Sequence, residues 1–531
     1  MMRHLKIYQA ITWGTFGCLG LMMTGCSTHS SQKETSRPNI IFIMSDDHAT
    51  NAISAYGSRL AEVAPTPHID RLAKEGILLN NCFSTNSICT PSRASILTGQ
   101  YSHVNGVRTL KDDLDPSKIH LAHLMQDAGY QTAMIGKWHL HTEPQGFDYW
   151  QVLPEQGLYF NPMFKVRGLD DASDFKQRDT KVYEGYVSDV ITDLSLDWLN
   201  KQDKNQPFML MMHHKAPHAL WEYHPKYEHL FDDVEIPEPA TLFEDKGHRS
   251  EATRQHENNL LRLGKRMSGQ MKVSSVHDYK EWPTGKLEVD GLSEKELISA
   301  TYQKYLKDYL RVIASVDESV GRILNYLDEN DLAENTIVIY TSDQGMFLGE
   351  HQYLDKRWMF EESIKMPFLI RYPKGLSSNQ EVNALISNVD IAPTLLDLAT
   401  MDTPDWMQGR SFKEVLEGEI PQDWQKAIYY RYWMHRDMTP AHYGIRTKDY
   451  KLIFYYALNL DTKSFGHPDS KPAWELYDLR KDPLEMNNVY AHPEYKDVIA
   501  ELKHQLDDLK VANGDDDNKY PQLLELRQLV N

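Results

Sequence analysis

A continuous apolar run, Asn39-Ile40-Ile41-Phe42-Ile43-Met44, follows Pro38 and ends in the polar residues Ser45-Asp46-Asp47-His48. A short run of this kind predicts a strand that is buried on both faces of a parallel sheet. Further strands are predicted where other short apolar segments occur, separated by helical segments: Gln131–Leu140, Phe208–Met212 and Thr336–Tyr340. Because strands and helices alternate, the sequence predicts an α/β fold with a parallel, doubly wound sheet flanked by helices.

Each of the four predicted strands ends in charged, amide or imidazole side chains. These residues are Asp46 and Asp47, Lys137 and His139, His218, and Asp343 and Gln344. Parallel sheets bind their ligands at the carboxyl ends of the strands. One polar strand end is a common solvated turn, but four of them together predict a site at this edge of the sheet.

The stretch from Ser87 to Gly99, SICTPSRASILTG, predicts a helix that has Cys89 at its N-terminus. Pro91 suits a first helical turn, and Gly99 suits a stop. Backbone N–H groups and the helix dipole favour an anion at this position. Two structural interpretations stay open: a lone cysteine is often a buried apolar residue, and Cys82 and Cys89 would make a short disulfide loop in an exported protein.

Three further helices are predicted from apolar periodicity and from residues that are typical of helix ends. Thr66 is the expected cap of the first, with Pro67 in its first turn and Gly76 at its stop. The second covers about Ile119 to Ala128, and a long amphipathic helix covers about Leu297 to Leu327.

The 531 residues carry a net charge of -19, with 41% apolar and 25% charged residues. This composition is typical of a globular protein with a large core and excludes nucleic acid as a bulk partner. An anionic substrate would need a local basic pocket, for which Arg93, Lys137 and Lys356 are the candidates.

The N-terminus predicts export and lipid anchoring. Residues 1–25 have a basic start and an apolar centre that is short for a membrane span, as in a signal peptide. Met23-Thr24-Gly25-Cys26 resembles a bacterial lipoprotein box, so Cys26 is the predicted lipidated residue. Residues 26–37 would form a flexible tether to the cell envelope, predicted to be the outer membrane on its periplasmic or cell-surface side.

The remaining chain predicts a catalytic domain over 38–424 and a C-terminal subdomain over 425–531. A polar, poorly periodic insertion is expected at about 233–291, with its three histidines, His248, His256 and His277, in solvent. Strands over 427–433, 443–446 and 451–456 would form a small antiparallel sheet, and 494–510 a closing helix. Residues 514–517 are predicted to be a solvated loop.

The oxygen ligands that converge at the strand ends suit a hard cation. Carboxylates of Asp46, Asp47 and Asp343 with the amide of Gln344 favour Ca²⁺ over Zn²⁺. No cysteine and histidine spacing of the zinc type is present.

Several motifs resemble those of the type I sulfatases, which carry a formylglycine made from cysteine. Cys89-x-Pro91-Ser92-Arg93 with Leu97-Thr98-Gly99 resembles the modification signature, and most of the chain from Pro38 to about Val489 carries further matches. These are 37–43 with Asp46-Asp47, Gly136-Lys137-Trp138-His139-Leu140, His214-Lys215-Ala216-Pro217-His218, Asp343-Gln344-Gly345, Gly349-Glu350-His351, Asp355-Lys356-Arg357, and Trp474–Leu479 with Asp482-Pro483 and Glu485. Gln344 stands where many members have asparagine, and both residues offer an amide oxygen.

The resemblance implies an alkaline-phosphatase-like fold and a mechanism. Formylglycine at Cys89, made by a maturation enzyme, would be hydrated, held on one Ca²⁺ by Asp46, Asp47, Asp343 and Gln344, and attack the sulfur of a sulfate ester. The resulting sulfo-enzyme would be resolved with the help of catalytic residues. Their implied roles are His218 as general acid, His139 as base, Lys356 as sulfate ligand, and Arg93 and Lys137 as contacts of the diol. His213, His214 and His351 are interpreted as structural histidines.

A lipid-anchored sulfatase implies polysaccharide degradation, on a glycosaminoglycan or an algal glycan such as ulvan. Trp221, Tyr159 and Arg357 are candidates to line sugar subsites, although the aromatic residues would equally suit the core. Two alternatives stay open: a phosphonate or phosphate ester hydrolase of the same superfamily, and a glycan-binding lipoprotein without catalysis.

Overall fold

The computed structural model describes residues 37–254, 258–272, 281–435, 439–460 and 471–530. All four predicted strands lie in one ten-stranded sheet, and its five central strands run parallel. In spatial order the strands are β12 (Gln380–Val382), β2 (Ile77–Leu79), β11 (Phe368–Arg371), β9 (Thr336–Ser342), β1 (Asn39–Ser45), β8 (Phe208–His213), β4 (Gln131–Lys137), β5 (Tyr149–Leu153), β6 (Met163–Val166) and β7 (Lys181–Val182).

Strand β1 lies at the centre and is buried on both faces, as its apolar run predicts. Ile41 and Ile43 pack into one hydrophobic core, whereas Phe42 and Met44 pack into another on the opposite face. Its parallel register with β9 pairs Ser45 with Ser342, so the residues that follow both strands emerge side by side. The fold thereby brings residues that are about 300 positions apart in the sequence to one edge.

Helices cover both faces of this sheet. The first face carries α1, α5 and the 36-residue α8, and the second carries α2, α4 and α10. The helices are α1 (Pro67–Glu75), α2 (Cys89–Thr98), α3 (Ser102–Asn105), α4 (Leu121–Asp127), α5 (Val187–Leu199), α6 (Glu251–Arg254), α7 (Leu260–Met267), α8 (Glu294–Glu329), α9 (Glu361–Ile364), α10 (Ile391–Leu398), α11 (Lys413–Leu416), α12 (Lys496–Ala512) and α13 (Pro521–Leu529).

The cap of α1 differs from the prediction. Thr66 precedes the helix, but its side chain makes no capping hydrogen bond and contacts Asp70 and Ser54 instead. The carboxylate of Asp317, on α8, accepts hydrogen bonds from the first backbone N–H groups of α1, at 3.0 Å from His68 and 2.8 Å from Ile69. A residue far away in sequence satisfies the donors that a local cap would otherwise satisfy.

Two smaller sheets complete the fold. One has three strands, β3 (Cys82–Phe83), β10 (Lys365–Met366) and β13 (Ile386–Ser387). The other is antiparallel, with β14 (Ala427–Tyr432), β15 (His442–Thr447), β16 (Tyr450–Tyr455) and β17 (Ala473–Asp478). The first three strands of the second sheet and α12 confirm the predictions, whereas β17 was not predicted as a strand. Residues 37–531 group as one compact unit, and the boundary at 424 stays a prediction.

The prediction of a solvated loop at 514–517 is wrong for two of its three acidic residues. Asp515 is buried and its carboxylate pairs with Arg431 at 2.6 Å, while Asp517 is buried and pairs with Lys510 and Arg527. The guanidinium of Arg431 also lies over the Trp433 ring at 3.7 Å. The run of acidic residues therefore neutralises buried cations of the C-terminal sheet and helices.

We expect Asp515→Ala to lower the free energy of unfolding by about 3–5 kcal/mol, because it leaves the Arg431 charge buried without its partner. Asp516→Ala is the matched control. Asp516 is partly exposed, and its hydrogen bonds within the described residues come from nearby Asn518, so its loss should cost about 1 kcal/mol or less. Urea denaturation of both variants measures the difference, and equal costs would contradict the role assigned to Asp515.

The insertion at 233–291 contains regular structure that its polarity did not predict. Helix α7 packs on α8 so closely that a Cβ at Gly264 would lie 2.2 Å from the Thr301 hydroxyl oxygen. His248 is partly buried and accepts a hydrogen bond from the backbone of Asn488 at 3.1 Å. The predictions for His256 and His277, and those for residues 1–36, lie outside the described residues. None of the helices within the described ranges is both long and apolar enough to cross a membrane.

Candidate active site

Three carboxylates meet where β1 and β9 end. One oxygen each from Asp46, Asp47 and Asp343 lie within 4.8 Å of one another, and all three residues are buried. The backbone N–H of Asp47 donates to an Asp343 carboxylate oxygen at 3.2 Å, and the Gln344 amide donates to Asp47 at 2.5 Å. The convergence that the sequence predicts for these four residues is confirmed.

Three buried cations surround the carboxylates. Arg93, on α2, donates from Nε to Asp343 at 2.9 Å and from a terminal nitrogen to the carbonyl oxygen of Lys137 at 2.6 Å. Lys137, at the end of β4, pairs with Asp46, and Lys356 pairs with Asp47 at 2.7 Å. These are the three residues predicted to form a basic pocket in an acidic protein.

The surroundings shift the pKa values of the three carboxylates in different directions. Burial would raise the pKa of Asp46, but the charges of Lys137, His218, Arg93 and Lys356 together hold it well below its usual range. For Asp47, burial outweighs Lys356 and raises the pKa to about 6. For Asp343, burial and the charge of Asp46 outweigh Arg93 and raise the pKa to about 7. The local cations therefore leave two of the three carboxylates poorly compensated.

The oxygen atoms of this carboxylate and amide cluster are suited to bind a hard cation. One Asp46 carboxylate oxygen (Oδ1) and the Gln344 amide oxygen (Oε1) are buried and accept no hydrogen bond within the described part of the chain. Buried acceptors of this kind need a donor or a cation. An all-oxygen donor set with three carboxylates suits Ca²⁺.

Cys89 is the first residue of α2 and lies beside this cluster. Its sulfur, an Asp46 oxygen and a His218 nitrogen are within 4.8 Å of one another. Cys89 and Cys82 are both free thiols in the structure, and the alternative of a disulfide between them is not present. Burial and the charge of Asp46 raise the pKa of the Cys89 thiol, so these surroundings disfavour a thiolate nucleophile.

A cavity of about 370 Å³ opens on these groups. Asp47, Cys89, His218 and Lys356 line it, whereas the residues behind them are buried in the floor of the site: Asp46, Arg93, Lys137, Asp343 and Gln344. His218 has its Nε2 3.7 Å from an Asp47 oxygen, and its Nδ1 lies 2.9 Å from the Ala219 carbonyl oxygen. Burial lowers the pKa of His218.

His139 lies apart from this cavity. It lines a separate cavity of about 80 Å³ with His141, whose ring centroid is 5.3 Å away. Burial, then the charge of Lys137, lower the pKa of His139, which favours its neutral form. Its Nδ1 is buried and has no hydrogen-bond partner in the ranges the structure describes.

Of the three residues predicted to line sugar subsites, two line the cavity and one does not. Trp221 and Arg357 line the cavity, and Trp221 packs against Tyr305 with ring centroids 4.4 Å apart. Tyr159 is almost completely buried, and its hydroxyl donates to the carbonyl oxygen of His218. Tyr159 thus supports the loop that carries His218 and does not face the cavity.

Two residues that sequence reasoning missed hold the site together. The Lys137 ammonium donates to the Gln156 side-chain oxygen at 2.5 Å, and Gln156 also lines the cavity. The Tyr430 hydroxyl, on β14, accepts from the Ser87 backbone at 3.3 Å and donates to the Arg357 carbonyl at 2.6 Å. A glutamine in a loop and a tyrosine in a separate sheet carry no motif, so only the tertiary structure reveals them.

Three further histidines, interpreted as structural from the sequence, do not line the cavity and contact surrounding protein groups. His213 lies 3.3 Å from the Lys137 carbonyl oxygen, and His214 contacts the Ser319 hydroxyl at 3.1 Å. His351 is buried between Glu244, at 2.7 Å, and Arg249, at 3.0 Å.

Comparisons with known proteins agree with this arrangement. The family model "Sulfatase" matches residues 38–401, and the model "N-sulphoglucosamine sulphohydrolase, C-terminal" matches 349–512. An N-acetylglucosamine-6-O-sulfatase of Bacteroides thetaiotaomicron is 40% identical over 94% of this chain and 90% of its own. An ulvan-active sulfatase of Formosa agariphila is 27% identical over 92% of this chain and 84% of its own.

A solved structure, described as a complex with its substrate D-glucosamine-2-N,6-O-disulfate, superimposes with a TM-score of 0.80 at 39% identity. The match covers 91% of this chain and 99% of that one. The alkaline-phosphatase-like architecture expected from the motifs is confirmed, with its mostly parallel sheet, flanking helices and smaller antiparallel sheet. The chain belongs to the sulfatase family and is a sulfuric ester hydrolase.

Proposed function

We propose that this enzyme hydrolyses 6-O-sulfate esters of glucosamine-type sugars in sulfated glycans. The observation that carries the proposal is the cavity in which Cys89, His218 and Lys356 lie over a buried carboxylate cluster. The relative that is 40% identical over nearly the whole chain is an N-acetylglucosamine-6-O-sulfatase, which supports the choice of sugar and sulfate position.

Two groups would complete the site. Formylglycine at position 89 would supply the attacking hydroxyl after hydration, and Ca²⁺ held by Asp46, Asp47, Asp343 and Gln344 would stabilise negative charge on oxygen. Arg93 fixes Asp343 through Nε, and Lys137 is held between Asp46 and Gln156. These contacts orient the carboxylates before substrate arrives, so that little reorganisation is needed during the reaction.

Lys356 and His218 would act on the substrate. The Lys356 ammonium reaches the cavity and attracts the sulfate. The Nδ1–H of His218 donates to the Ala219 carbonyl, which leaves Nε2 to carry the transferable proton towards the cavity. Burial lowers the pKa of His218, so donation to a leaving sugar oxygen requires the anionic sulfate of a bound substrate to favour its protonated form. The Gly136–Leu140 motif supports His139 as the residue that would accept a proton in the second step, although in this structure it lines the neighbouring cavity.

The cavity also carries groups that suit a sugar. Asp355 and Arg357 are paired at 2.6 Å, and Arg357 is held from behind by the Tyr432 hydroxyl at 3.0 Å. A carboxylate and a guanidinium fixed side by side offer an acceptor and donors to neighbouring hydroxyl groups. Trp221 supplies an apolar surface at the same cavity.

Measured sulfate release from matched substrates tests the proposal. We expect turnover of N-acetylglucosamine 6-sulfate, at least about tenfold slower turnover of N-acetylgalactosamine 6-sulfate, and less still of a phosphonate monoester, because hydroxyl recognition discriminates strongly. Release from ulvan oligosaccharides but not from the amino sugar would favour the algal glycan instead. Preference for the phosphonate ester would overturn the sulfatase proposal.

We also propose that the mature protein is anchored to the cell envelope through lipid on Cys26, with residues 26–37 as its tether. The lipoprotein-like Met23–Cys26 sequence supports this. Labelling with palmitate should give a membrane-bound, labelled protein, and Cys26→Ala should abolish both the label and membrane binding. Unlabelled wild-type protein would contradict the anchor.

A further inference from the structure

One wall of the active-site cavity comes from the insertion at 233–291. Leu263, Arg266 and Trp282 line the cavity from this segment. The wall is firmly supported, because α7 packs on α8 through Gly264 and buries Leu260 and Met267. Arg266 therefore projects from a helix whose position is fixed by core packing.

Arg266 differs from the other cations of the cavity. Lys356 pairs with Asp47 and with Asp355, at 2.7 and 3.2 Å, and Arg357 pairs with Asp355. Arg266 has no carboxylate within ion-pair distance among the described residues, and its Nε is buried without a hydrogen bond. Burial and the neighbouring charge of Arg262 lower the pKa of Arg266. A guanidinium at a cavity wall with no carboxylate partner in the described ranges is unexpected in a protein with net charge -19.

We propose that Arg266 binds a second anionic group of the substrate, separate from the sulfate ester that is cleaved. The inference rests on the proposed function, because it assumes a sugar bound with its scissile sulfate at Cys89 and Lys356. A cavity of about 370 Å³ accommodates one sugar ring with its substituents. A guanidinium offers paired donors that match the oxygens of a sulfate or carboxylate. The second anion is either a sulfate on the amino group of the same ring or the carboxylate of a neighbouring uronate.

Binding measurements on a catalytically silent protein test the inference without turnover. In the Cys89→Ala background with calcium present, calorimetry would give the Kd of three ligands. They are N-acetylglucosamine 6-sulfate, glucosamine 2-N,6-O-disulfate, and a uronate-containing disaccharide with one 6-sulfate. We expect Arg266→Gln to weaken binding of at least one two-anion ligand by about tenfold or more, and that of the monosulfated sugar less than about threefold. The ligand affected identifies the second anion.

Two control variants isolate the charge of Arg266. Lys265→Gln removes the same charge at the preceding position of the helix, and Lys265 does not line the cavity. This variant should leave all three Kd values unchanged. Arg266→Lys, which keeps the positive charge, should restore part of the preference for the two-anion ligand over the monosulfated sugar. An equal effect of Arg266→Gln on all ligands, no effect, or no preference of the Arg266 protein for any two-anion ligand would overturn the inference. A separate measurement tests the proposed function. If the active enzyme releases no sulfate, the proposed function fails, whatever the Kd values are.

Discussion

Cys89→Ala should lower kcat by at least about 10⁴-fold, because it removes the side chain that would become the nucleophile while the remaining site stays folded. Cys89 begins α2 beside the carboxylate cluster, and no other cysteine, serine or threonine lines the same cavity among the described residues. Measurement of sulfate release from N-acetylglucosamine 6-sulfate, with thermal unfolding to verify the fold, gives the result directly.

Cys82→Ala is the matched control for this variant. Cys82 lies on β3 as a buried free thiol, so its loss should leave kcat within a few-fold and cost only stability. If Cys82→Ala abolished activity as completely as Cys89→Ala, a functional disulfide would be indicated. Retention of activity in Cys89→Ala would exclude position 89 as the source of the nucleophile.

Asp46→Asn should remove both calcium binding and activity, with kcat lower by about 10³-fold or more. Asp46 is the one carboxylate of the three whose pKa the local cations hold below its usual range, and one of its oxygens accepts no hydrogen bond within the described ranges. In the wild-type protein, calcium at about a hundredfold over its Kd should stabilise the fold by about 2.7 kcal/mol. The rise in Tm on adding calcium to chelator-treated protein measures this effect.

Asp402→Asn provides the comparison for this experiment. Asp402 is an exposed carboxylate, so the variant should show the full calcium-dependent rise in Tm and full activity. In chelator-treated wild-type protein, magnesium should give a smaller rise in Tm and less activity than calcium. Magnesium prefers fewer protein ligands and retains its waters. A calcium-dependent rise that survives in Asp46→Asn would contradict the assignment of the cluster as the metal site.

The central sheet and the convergence of the site were predictable because both follow from local patterns. The apolar run at 39–44 and its three counterparts specify buried strands, and the parallel arrangement then places Asp46, Lys137, His218 and Asp343 at one edge. The motif around Cys89 predicted the start of α2 at the correct residue. These features need no knowledge of distant contacts.

The errors arose where long-range contacts replace a local signal. Asp317 caps α1 from another helix, and Asp515 is buried by Arg431, so neither role is visible in the neighbouring sequence. Tyr430 reaches the active-site loops from the C-terminal sheet in the same way. Helix α7 lies in a polar segment, and only the folded chain shows that it packs on α8 and that Arg266 lines the cavity. Tertiary context overrides composition in each case.

Mass spectrometry of the tryptic peptide 75–93, from protein made together with a formylglycine-generating maturation enzyme, tests the central claim most directly. The account predicts that Cys89 carries a formyl group in place of its thiol-bearing methylene, while Cys82 in the same peptide stays an ordinary thiol. An unmodified thiol at Cys89, or a disulfide between the two residues, would contradict the proposed mechanism.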